Sequence, residues 1–236
     1  MAGFSDLTVI IPTLNEREDV PKLINILRDS YKGVHIIISD DGSTDGTKEA
    51  VEVIARKSKG VLFLDRRKKD IHGLTASVVD AAMLVKTRKI VVMDGDMQHP
   101  PNKVGSIARA LDRNDVVIGV RSTIKNWDLH RRIVSKSVNA LAYSTFKMRG
   151  RHTTKDMMSG FFGIRSRLFR ELISENSGEI TGKGYKVLLD ILRLADRSVR
   201  VAEIRYDTFQ DRRHGRSKLK MMGIHQMPKV LRSVLR

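Results

Sequence analysis

The feature that most constrains the fold is a regular alternation, in the first half of the chain, of short apolar runs and segments with helical periodicity. The apolar runs are continuous, which is typical of strands buried on both faces of a sheet. They are LTVIIP, VHIIIS, VLFLD, KIVVMD and DVVIGV, and helices are predicted near 20–27, 47–57, 75–86 and 102–112. The alternation predicts an α/β fold with a mostly parallel central sheet, right-handed crossovers and helices on both faces.

The second half of the chain is less regular. It predicts a basic helix over 129–147, a strand in SGFFGIRS, a helix at about 183–194, and an edge or antiparallel strand in SVRVAEIRYDTF. A chain of 236 residues is long enough for one large domain with an appendage. We therefore predict one domain over 1–217 and a basic tail over 218–236.

Polar residues stand directly after four of the predicted strands. They are Asn15 and Glu16, Asp40 and Asp41, Asp94 and Asp96, and Arg121. In sheets of this kind ligands bind beyond the carboxyl ends of the strands, and these ends meet at one edge. The sequence therefore predicts a binding site at that edge.

The stretch VVMDGDMQHPP (91–101) places two acids two residues apart at a strand end. In an extended segment Asp94 and Asp96 point the same way, so both can face one ligand. Their oxygens suit a hard cation such as magnesium or manganese, which keeps waters and bridges to substrate phosphates. The alternative is a loop with solvated acids, which the strand before it and the residues after it make less favourable. For His99 a structural role at the Pro100–Pro101 turn is favoured over metal ligation.

Two interpretations remain open for Asp40 and Asp41. Thr44 or Asp45 could cap the helix predicted at 47–57, and the acids would then belong to a capping turn. Alternatively, a carboxylate at a strand end can accept hydrogen bonds from a base NH or a ribose hydroxyl. The residues alone favour neither.

The net charge of +17 predicts a polyanionic partner. Two basic runs, RSTIKNWDLHRRIVSK and FQDRRHGRSK, could grip phosphates or form a solvated surface. Residues 212–236 hold eight Lys or Arg and no acid. Apolar residues recur among these cations, so the tail is predicted to dock on an acidic membrane surface. The alternative is an amphipathic helix packed on the domain itself.

Several classes of protein are excluded or disfavoured. The chain has no cysteine, so disulfides and thiolate metal sites are excluded. No run approaches the roughly 20 apolar residues of a membrane span, and the first residues do not read as a signal peptide. Neither a glycine-rich dinucleotide motif nor a phosphate-binding lysine motif follows the first strand.

Eight ordered blocks over roughly residues 7–220 resemble the inverting family 2 glycosyltransferases, and within them the enzymes that act on polyprenyl phosphates. The blocks are VIIPTLNERE (9–18), IISDDGSTDGT (37–47), VVMDGDMQHPP (91–101), VIGVR (117–121), WDLHRRIVSK (127–136), DMMSGFFGIR (156–165), GKGYKVLLDIL (182–192) and RRHGRSKL (212–219).

The resemblance implies a GT-A fold, a nucleotide-sugar donor, a divalent magnesium or manganese ion and a polyprenyl- or dolichyl-phosphate acceptor. The implied reaction is inverting transfer of a hexose, with mannose from GDP-mannose as the first expectation. UDP-glucose or a glycan acceptor is the nearer alternative, and a basic nucleic-acid-binding protein is the alternative of another class. Nucleic acid is not expected as a partner, because that interpretation leaves the acidic residues at the strand ends unexplained.

The resemblance also implies roles for single residues. Nucleoside-binding positions are Pro12, Leu14, Glu16, Ile38, Asp40 and Asp41. Metal and donor-phosphate positions are Asp94, Asp96 and Gln98. Positions near the donor and acceptor phosphates are Arg121, Arg131 and Ser135, with Arg213 and Lys218 in a late basic motif that closes over the site. The catalytic group is thus expected to be Asp94, Asp96, Arg121 and Arg131.

Three departures from the family pattern concern the donor more than the reaction. The family's usual alanine between the two acids is Gly95 here, which is expected to loosen the backbone slightly. Its usual aromatic residue after PT is Leu14, and its usual tyrosine after VIGVR is Ser122. A peripheral location on the cytoplasmic membrane face is expected, with the lipid reached through the tail or through a membrane partner subunit.

Overall fold

The computed structural model describes residues 3–122, 129–176 and 187–206, and in the helix that contains residues 129–136 it describes no side chain of those eight. In the first half, strands and helices alternate as predicted. They are β1 (Leu7–Thr13), α1 (Val20–Ser30), β2 (His35–Asp40), α2 (Thr47–Lys57), β3 (Val61–Asp65), α3 (Leu74–Leu84) and β4 (Lys89–Val92). The helix predicted at 47–57 has those bounds in the structure.

The second half departs more from the predicted elements. Its elements are a 3₁₀ turn (Pro101–Lys103), α4 (Val104–Ala110), β5 (Val116–Arg121), α5 (Leu129–Met148), β6 (Phe162–Arg165), α6 (Ser166–Glu175), α7 (Val187–Leu194) and β7 (Val201–Tyr206). The helix predicted over 102–112 is thus a 3₁₀ turn followed by a shorter α-helix. Helix α6 was not predicted, because it begins directly after the last residue of β6 without a turn residue between them.

Within the described residues, seven strands form one sheet in the order β3-β2-β1-β4-β6-β5-β7. Of these seven, β6 alone runs in the opposite direction, since it pairs antiparallel with both β4 and β5. Strand β7 is an edge strand, as predicted, but it pairs parallel with β5. The six parallel strands therefore end at one edge of the sheet, which we call the rim. They end there at Thr13, Asp40, Asp65, Val92, Arg121 and Tyr206.

The central strand β1 explains why the sheet is covered on both faces. All seven of its residues are buried. Successive side chains of a strand point to opposite faces, and accordingly Ile10 and Ile11 belong to two different hydrophobic cores. One core is closed by α3, α5, α6 and α7, and the other by α1, α2 and α4. Because β1 is buried on both faces, a ligand can approach this strand only at its ends, one of which lies at the rim.

Candidate active site

The acids after β4, Asp94 and Asp96, lie at the rim but differ in exposure. The side chain of Asp94 is 30% exposed, whereas Asp96 is 8% exposed. Gln98 donates two hydrogen bonds to Asp96, from its backbone N–H at 3.2 Å and from its side-chain amide at 2.8 Å. Met97 has a φ of 57°, a left-handed conformation that turns the chain back so that Gln98 can reach Asp96. Gln98 thus orients Asp96 and belongs to the same turn.

His99 has a structural role, through contacts with the Asp94 backbone and with Phe161. It is 4% exposed, and its Nδ1 accepts a hydrogen bond from the backbone N–H of Asp94 at 3.0 Å. Its ring stacks on Phe161, with centroids 5.1 Å apart and planes 14° apart. An imidazole that accepts through Nδ1 carries its proton on Nε2. His99 therefore fixes the backbone that presents Asp94.

Gly95 does more than loosen the backbone, which corrects the expectation for this position. A Cβ placed on Gly95 would lie 2.2 Å from Glu16 Oε2 and 2.9 Å from Val20 Cγ2. Contacts under 3.0 Å require something to move, so the absent side chain makes room for the Glu16 carboxylate against the backbone between the two acids. Glycine therefore brings a predicted nucleoside-binding residue and the predicted metal motif into contact.

The loops after β1 and β2 are joined by hydrogen bonds. Asn15 donates its N–H to Ser43 Oγ at 2.8 Å and accepts from the N–H of Thr44 through Oδ1 at 2.8 Å. The N–H of Glu16 donates to Thr47 Oγ1 at 3.0 Å. Asn15 has a φ of 54°, a conformation that asparagine tolerates better than most residues. These bonds hold Glu16 at the rim independently of its own carboxylate.

Asp40 belongs to the turn that follows it, which favours the first of its two open interpretations. It is 1% exposed, and its Oδ1 accepts from the N–H groups of Gly42 at 3.0 Å and Ser43 at 2.8 Å. The Ser43 hydroxyl donates to its other oxygen. The N-cap of α2 is Gly46 rather than the predicted Thr44 or Asp45, but Asp45 still accepts from the N–H of Thr47, the first residue of the helix, at 3.0 Å.

Asp41 is bound by a buried arginine that sequence reasoning missed. Arg66 is 1% exposed and donates to Asp41, to Asp80 at 3.0 Å and to Ser77 Oγ at 3.0 Å. The N–H of Gly73 also donates to Asp41, at 2.7 Å. A buried guanidinium requires such partners, because desolvation penalises an isolated charge. The sole signal in the sequence was a cation directly after a strand.

Arg121, the predicted phosphate ligand, forms a paired contact with Asp156. Its Nε and one terminal nitrogen donate to the two oxygens of Asp156 at 2.7 Å and 3.0 Å. Burial lowers the pKa of Arg121, but the attraction and hydrogen bonds of Asp156 outweigh it, so the net pKa is raised. Arg121 thus stays charged and is aimed by Asp156, a residue to which sequence reasoning assigned no role.

The remaining predicted nucleoside positions differ in depth. Pro12 is buried within β1 and Leu14 is half-buried in the loop beyond it. Ile38 is 0% exposed and packs in the core closed by α1, α2 and α4. A side chain that is enclosed by the core does not reach a ligand at the rim. For Ile38, a direct contact through the side chain is therefore ruled out in this arrangement.

Four predicted residues cannot be placed at the site. Arg131 and Ser135 lie on α5, where the side chains of 129–136 are not described, and Arg213 and Lys218 lie outside the described residues. The tail predicted over 218–236 also lies outside them.

The donor set fits a cation that takes only a few protein ligands. Among residues 3–122, 129–176 and 187–206, no group of three or more His, Cys, Asp or Glu is arranged to hold a metal ion. Asp94 and Asp96 supply carboxylate oxygens at one strand end. Magnesium and manganese are commonly held by one or two carboxylates, with waters and substrate phosphates completing the shell. The acids therefore suit a metal that arrives with a diphosphate.

Comparison with solved structures supports the predicted GT-A fold. The chain superposes on glucosyl-3-phosphoglycerate synthase from Mycobacterium tuberculosis, solved in complex with Mn²⁺, uridine diphosphate and phosphoglyceric acid, with a TM-score of 0.68. The match covers 97% of this chain and 78% of that chain at 18% identity. A likeness at this identity concerns the fold alone, and it confirms the α/β GT-A prediction.

Comparison of sequences identifies the family. The chain is 31% identical over 221 residues to dolichol-phosphate mannosyltransferase from Pyrococcus furiosus. The aligned region covers 91% of this chain but only 59% of the relative's length. It is 32% identical over 227 residues to dolichol-phosphate mannosyltransferase from Mycosarcoma maydis, covering 90% of this chain and 73% of that relative. Residues 8–173 match the model of Glycosyl transferase family 2. The chain belongs to glycosyl transferase family 2.

Proposed function

We propose that this protein transfers mannose from GDP-mannose to the phosphate of a polyprenyl or dolichyl lipid and inverts the configuration of the sugar. The observation that carries the proposal is that Asp94, Asp96 and the aimed cation Arg121 lie at one rim of the sheet. The names of the two relatives supply the substrate class, since both are dolichol-phosphate mannosyltransferases.

The acids after β4 are proposed to hold a magnesium or manganese ion. Asp96 would be a direct ligand in the orientation fixed by Gln98, and Asp94 would bind the metal or the donor. When bound, such a cation neutralises negative charge on the diphosphate of the donor. Gln98 was also predicted as a ligand. Its side-chain amide donates to Asp96 in this arrangement, so its proposed role is to orient that carboxylate.

The protein's own cations are proposed to stabilise the leaving group. As the sugar bond breaks, negative charge develops on the nucleoside diphosphate, and fixed positive groups aimed at that charge lower the barrier. Arg121 is held for this purpose by Asp156. Arg131, Ser135, Arg213 and Lys218 are proposed to contact the donor or acceptor phosphates, on the family resemblance alone.

The acceptor is proposed to need positioning more than activation. A phosphate monoester is largely ionised near neutral pH, because its second pKa is about 6. It can therefore attack the sugar without a strong general base, and in-line attack inverts the anomeric centre. We assign no residue as a dedicated base.

The nucleoside is proposed to lie against the loops after β1 and β2. Pro12, Leu14 and Glu16 line one side of that position. Asp40 and Asp41 line the other, where their carboxylates shape the loop through internal hydrogen bonds. Because both carboxylates already accept such bonds, backbone groups of the same loops are the more accessible contacts for a base or ribose.

Membrane association is proposed to be peripheral, on the cytoplasmic face. Within the part of the chain that the structure describes, no helix combines the length and the apolar character needed to cross a bilayer. The acceptor is nevertheless a lipid, so the protein must reach the bilayer surface. We propose that the basic tail over 218–236 docks on acidic lipids, or that a membrane partner subunit delivers the lipid.

The function is tested by incubating the protein with Mg²⁺ or Mn²⁺ and a panel of nucleotide sugars, with and without a short polyprenyl phosphate. The expected result is a mannosyl-phospholipid formed from GDP-mannose and lost on chelation of the metal. Product from UDP-glucose instead would correct the donor. Transfer to a soluble glycan without the lipid, or no transfer at all, would refute the acceptor class.

The membrane proposal is tested by co-sedimentation with anionic and with neutral vesicles. The full chain is compared with a version that ends near Lys220. The full chain is expected to bind anionic vesicles at low salt and the shorter one to bind less. Equal binding of the two versions would show that the tail is not the anchor.

A further inference from the structure

The hydroxyl of Tyr206 is buried in a way that normally requires a partner. Tyr206 is 2% exposed, and its hydroxyl has no hydrogen-bond partner among the described residues. A buried hydroxyl without a partner is destabilising, and the large majority of buried polar atoms in folded proteins are hydrogen-bonded. A group of this kind calls for an explanation, and one explanation is a ligand that supplies the partner.

The position of Tyr206 connects it to the rim. It is the last residue of β7 and is the register partner of Arg121, the last residue of β5. Its backbone carbonyl accepts from the N–H of Ser122 at 3.1 Å. Adjacent residues in register on parallel strands point to the same face of the sheet. Tyr206 and Arg121 therefore lie side by side at the edge where substrates are proposed to bind.

Aromatic packing joins Tyr206 to the acids after β4. Its ring meets Phe161 edge to face, with centroids 5.8 Å apart at 70°. Phe161 in turn stacks on His99, which accepts from the backbone of Asp94. The ring of Phe161 packs closely against Gly119 of β5, where a Cβ would lie only 2.7 Å from the ring. The tyrosine is thus part of the rigid wall behind Asp94.

Charged groups of the site act on the hydroxyl. Burial raises the pKa of Tyr206 above its ordinary value. Arg121 opposes this rise, while Asp156 and Asp94 add to it. The hydroxyl therefore keeps its proton at neutral pH and can act as a donor. Both oxygens of Asp156 already accept from Arg121.

We propose that the Tyr206 hydroxyl donates a hydrogen bond to a phosphate oxygen of a bound substrate. This rests on the proposed function, in which both the donor diphosphate and the lipid phosphate meet beside Arg121. A phosphate oxygen is negatively charged and only accepts, so it suits a site that offers a buried O–H next to a guanidinium. The hydroxyl is buried in the ligand-free chain, so binding of the substrate phosphate to it requires a small local movement of the residues that cover it.

The first test is the stability of ligand-free Tyr206→Phe. Removing a hydroxyl that has no partner among the described residues is expected to leave the midpoint of thermal unfolding unchanged or to raise it. Tyr31→Phe is the matched control, because Tyr31 is 6% exposed and its hydroxyl donates to the Pro101 carbonyl at 2.8 Å. The control is expected to lower the midpoint. A similar drop for Tyr206→Phe would show that its hydroxyl has a structural partner, and would overturn the proposal.

The second test separates the two sources of phosphate. Binding of GDP with Mg²⁺ is measured by calorimetry, and the KM for a short polyprenyl phosphate is measured by initial rates. Tyr206→Phe is expected to weaken one of them by about 10-fold or more, as for a lost hydrogen bond to a charged group. Loss of GDP binding assigns the contact to the donor, and a higher acceptor KM assigns it to the lipid. Tyr143→Phe, at an exposed position on α5, is expected to change neither.

The wild-type protein separates failure of this inference from failure of the proposed function. A wild-type chain that transfers no sugar to the lipid would refute the proposed function. An active wild-type chain, with GDP affinity and acceptor KM both unchanged within about twofold in Tyr206→Phe, would refute the role of Tyr206 alone.

Discussion

Two pairs of acids lie at the same rim, one after β2 and one after β4, and they differ in exposure and in hydrogen bonding. Asp40 is 1% exposed and accepts hydrogen bonds from its own loop, whereas Asp41 is 12% exposed and accepts from Arg66 and from the N–H of Gly73. Asp94, by contrast, keeps 30% of its side chain exposed, and Asp96 is oriented by its own turn through Gln98. The pair after β2 is built into the framework of the rim. The pair after β4 combines the more exposed Asp94 with Asp96, which is 8% exposed, and we propose that this pair is presented to a ligand.

The difference indicates that an acid at the end of a strand is not for that reason alone a ligand-binding residue. Both pairs follow buried strands and both resemble family motifs. Asp41 is bound by a buried cation of the chain, Arg66, whereas at the β4 pair we propose that a metal ion binds together with the donor diphosphate. The comparison makes four predictions, which follow from the largest expected effect to the smallest.

The largest effect is expected at the presented pair. Asp96→Asn should lower turnover by roughly 100-fold or more, because the proposed metal ion that neutralises the diphosphate loses a carboxylate ligand. The free energy of unfolding without ligand should stay within about 1 kcal/mol of the wild type. Initial rates and urea unfolding measure the two. Asp29→Asn, at an exposed position on α1, is the control, and normal metal-dependent turnover by the Asp96 variant would contradict the assignment.

The opposite result is expected at the built-in pair. Arg66→Met should lower the free energy of unfolding by about 3–5 kcal/mol, because Asp41 and Asp80 lose a buried cation. Arg67→Met is the matched control. Arg67 is 48% exposed and paired with Asp65 at the surface, so its loss should lower the free energy of unfolding far less than the loss of Arg66. Denaturant unfolding measures the free energy of unfolding of both variants. Equally small decreases in the two would contradict the stabilising role assigned to Arg66.

An intermediate effect is expected at Gly95, where the loop after β1 approaches the acids after β4. Gly95→Ala should cost about 1–3 kcal/mol of stability, since the new Cβ must displace Glu16 and Val20. It should also weaken GDP binding if Glu16 contacts the nucleoside as proposed. At Gly3 a Cβ would meet only the Lys32 carbonyl at 3.4 Å, so Gly3→Ala is the control. Thermal unfolding and calorimetry measure both effects, and an unperturbed Gly95→Ala variant would show that the close approach is easily relieved.

The smallest effect is expected from Asp45, in the same loop as the built-in pair. Burial raises the pKa of Asp45, but hydrogen bonds from Thr47 and Arg17 outweigh it and lower the pKa overall. Asp45→Asn should cost about 1 kcal/mol at pH 7, because the amide keeps one acceptor oxygen but loses the other together with the charge. A lowered pKa stabilises the fold above the unfolded value of about 3.9 and loses that contribution as the pH falls through the folded value.

The difference between wild type and Asp45→Asn should therefore shrink in acid, which unfolding at pH 7 and at about pH 3 would show. Asp70→Asn, at an exposed position in the loop after β3, should show little difference at either pH. A gap that stays constant or widens in acid would mean that Asp45 does not act through its charge.

The sequence by itself determined most of the architecture. Local hydrophobic periodicity predicts buried strands and amphipathic helices, so β1, β2 and α2 could be predicted from a few neighbouring residues. The rim followed from the general rule that parallel strands end together, and the positions of Asp94, Asp96 and Arg121 at that rim were correct. Local patterns could not separate α6 from β6, because no turn residue stands between them.

Tertiary structure alone decided what each polar residue does. Arg66 reaches Asp41 across 25 positions, Asp156 reaches Arg121 across 35, and Gly95 makes room for Glu16 from a different strand end. The antiparallel placement of β6 between β4 and β5 brings the loop before it, with Asp156 and Phe161, to the rim. A charge has no local periodicity, and whether it is paired, buried or presented depends on which distant group the fold brings within a few ångströms.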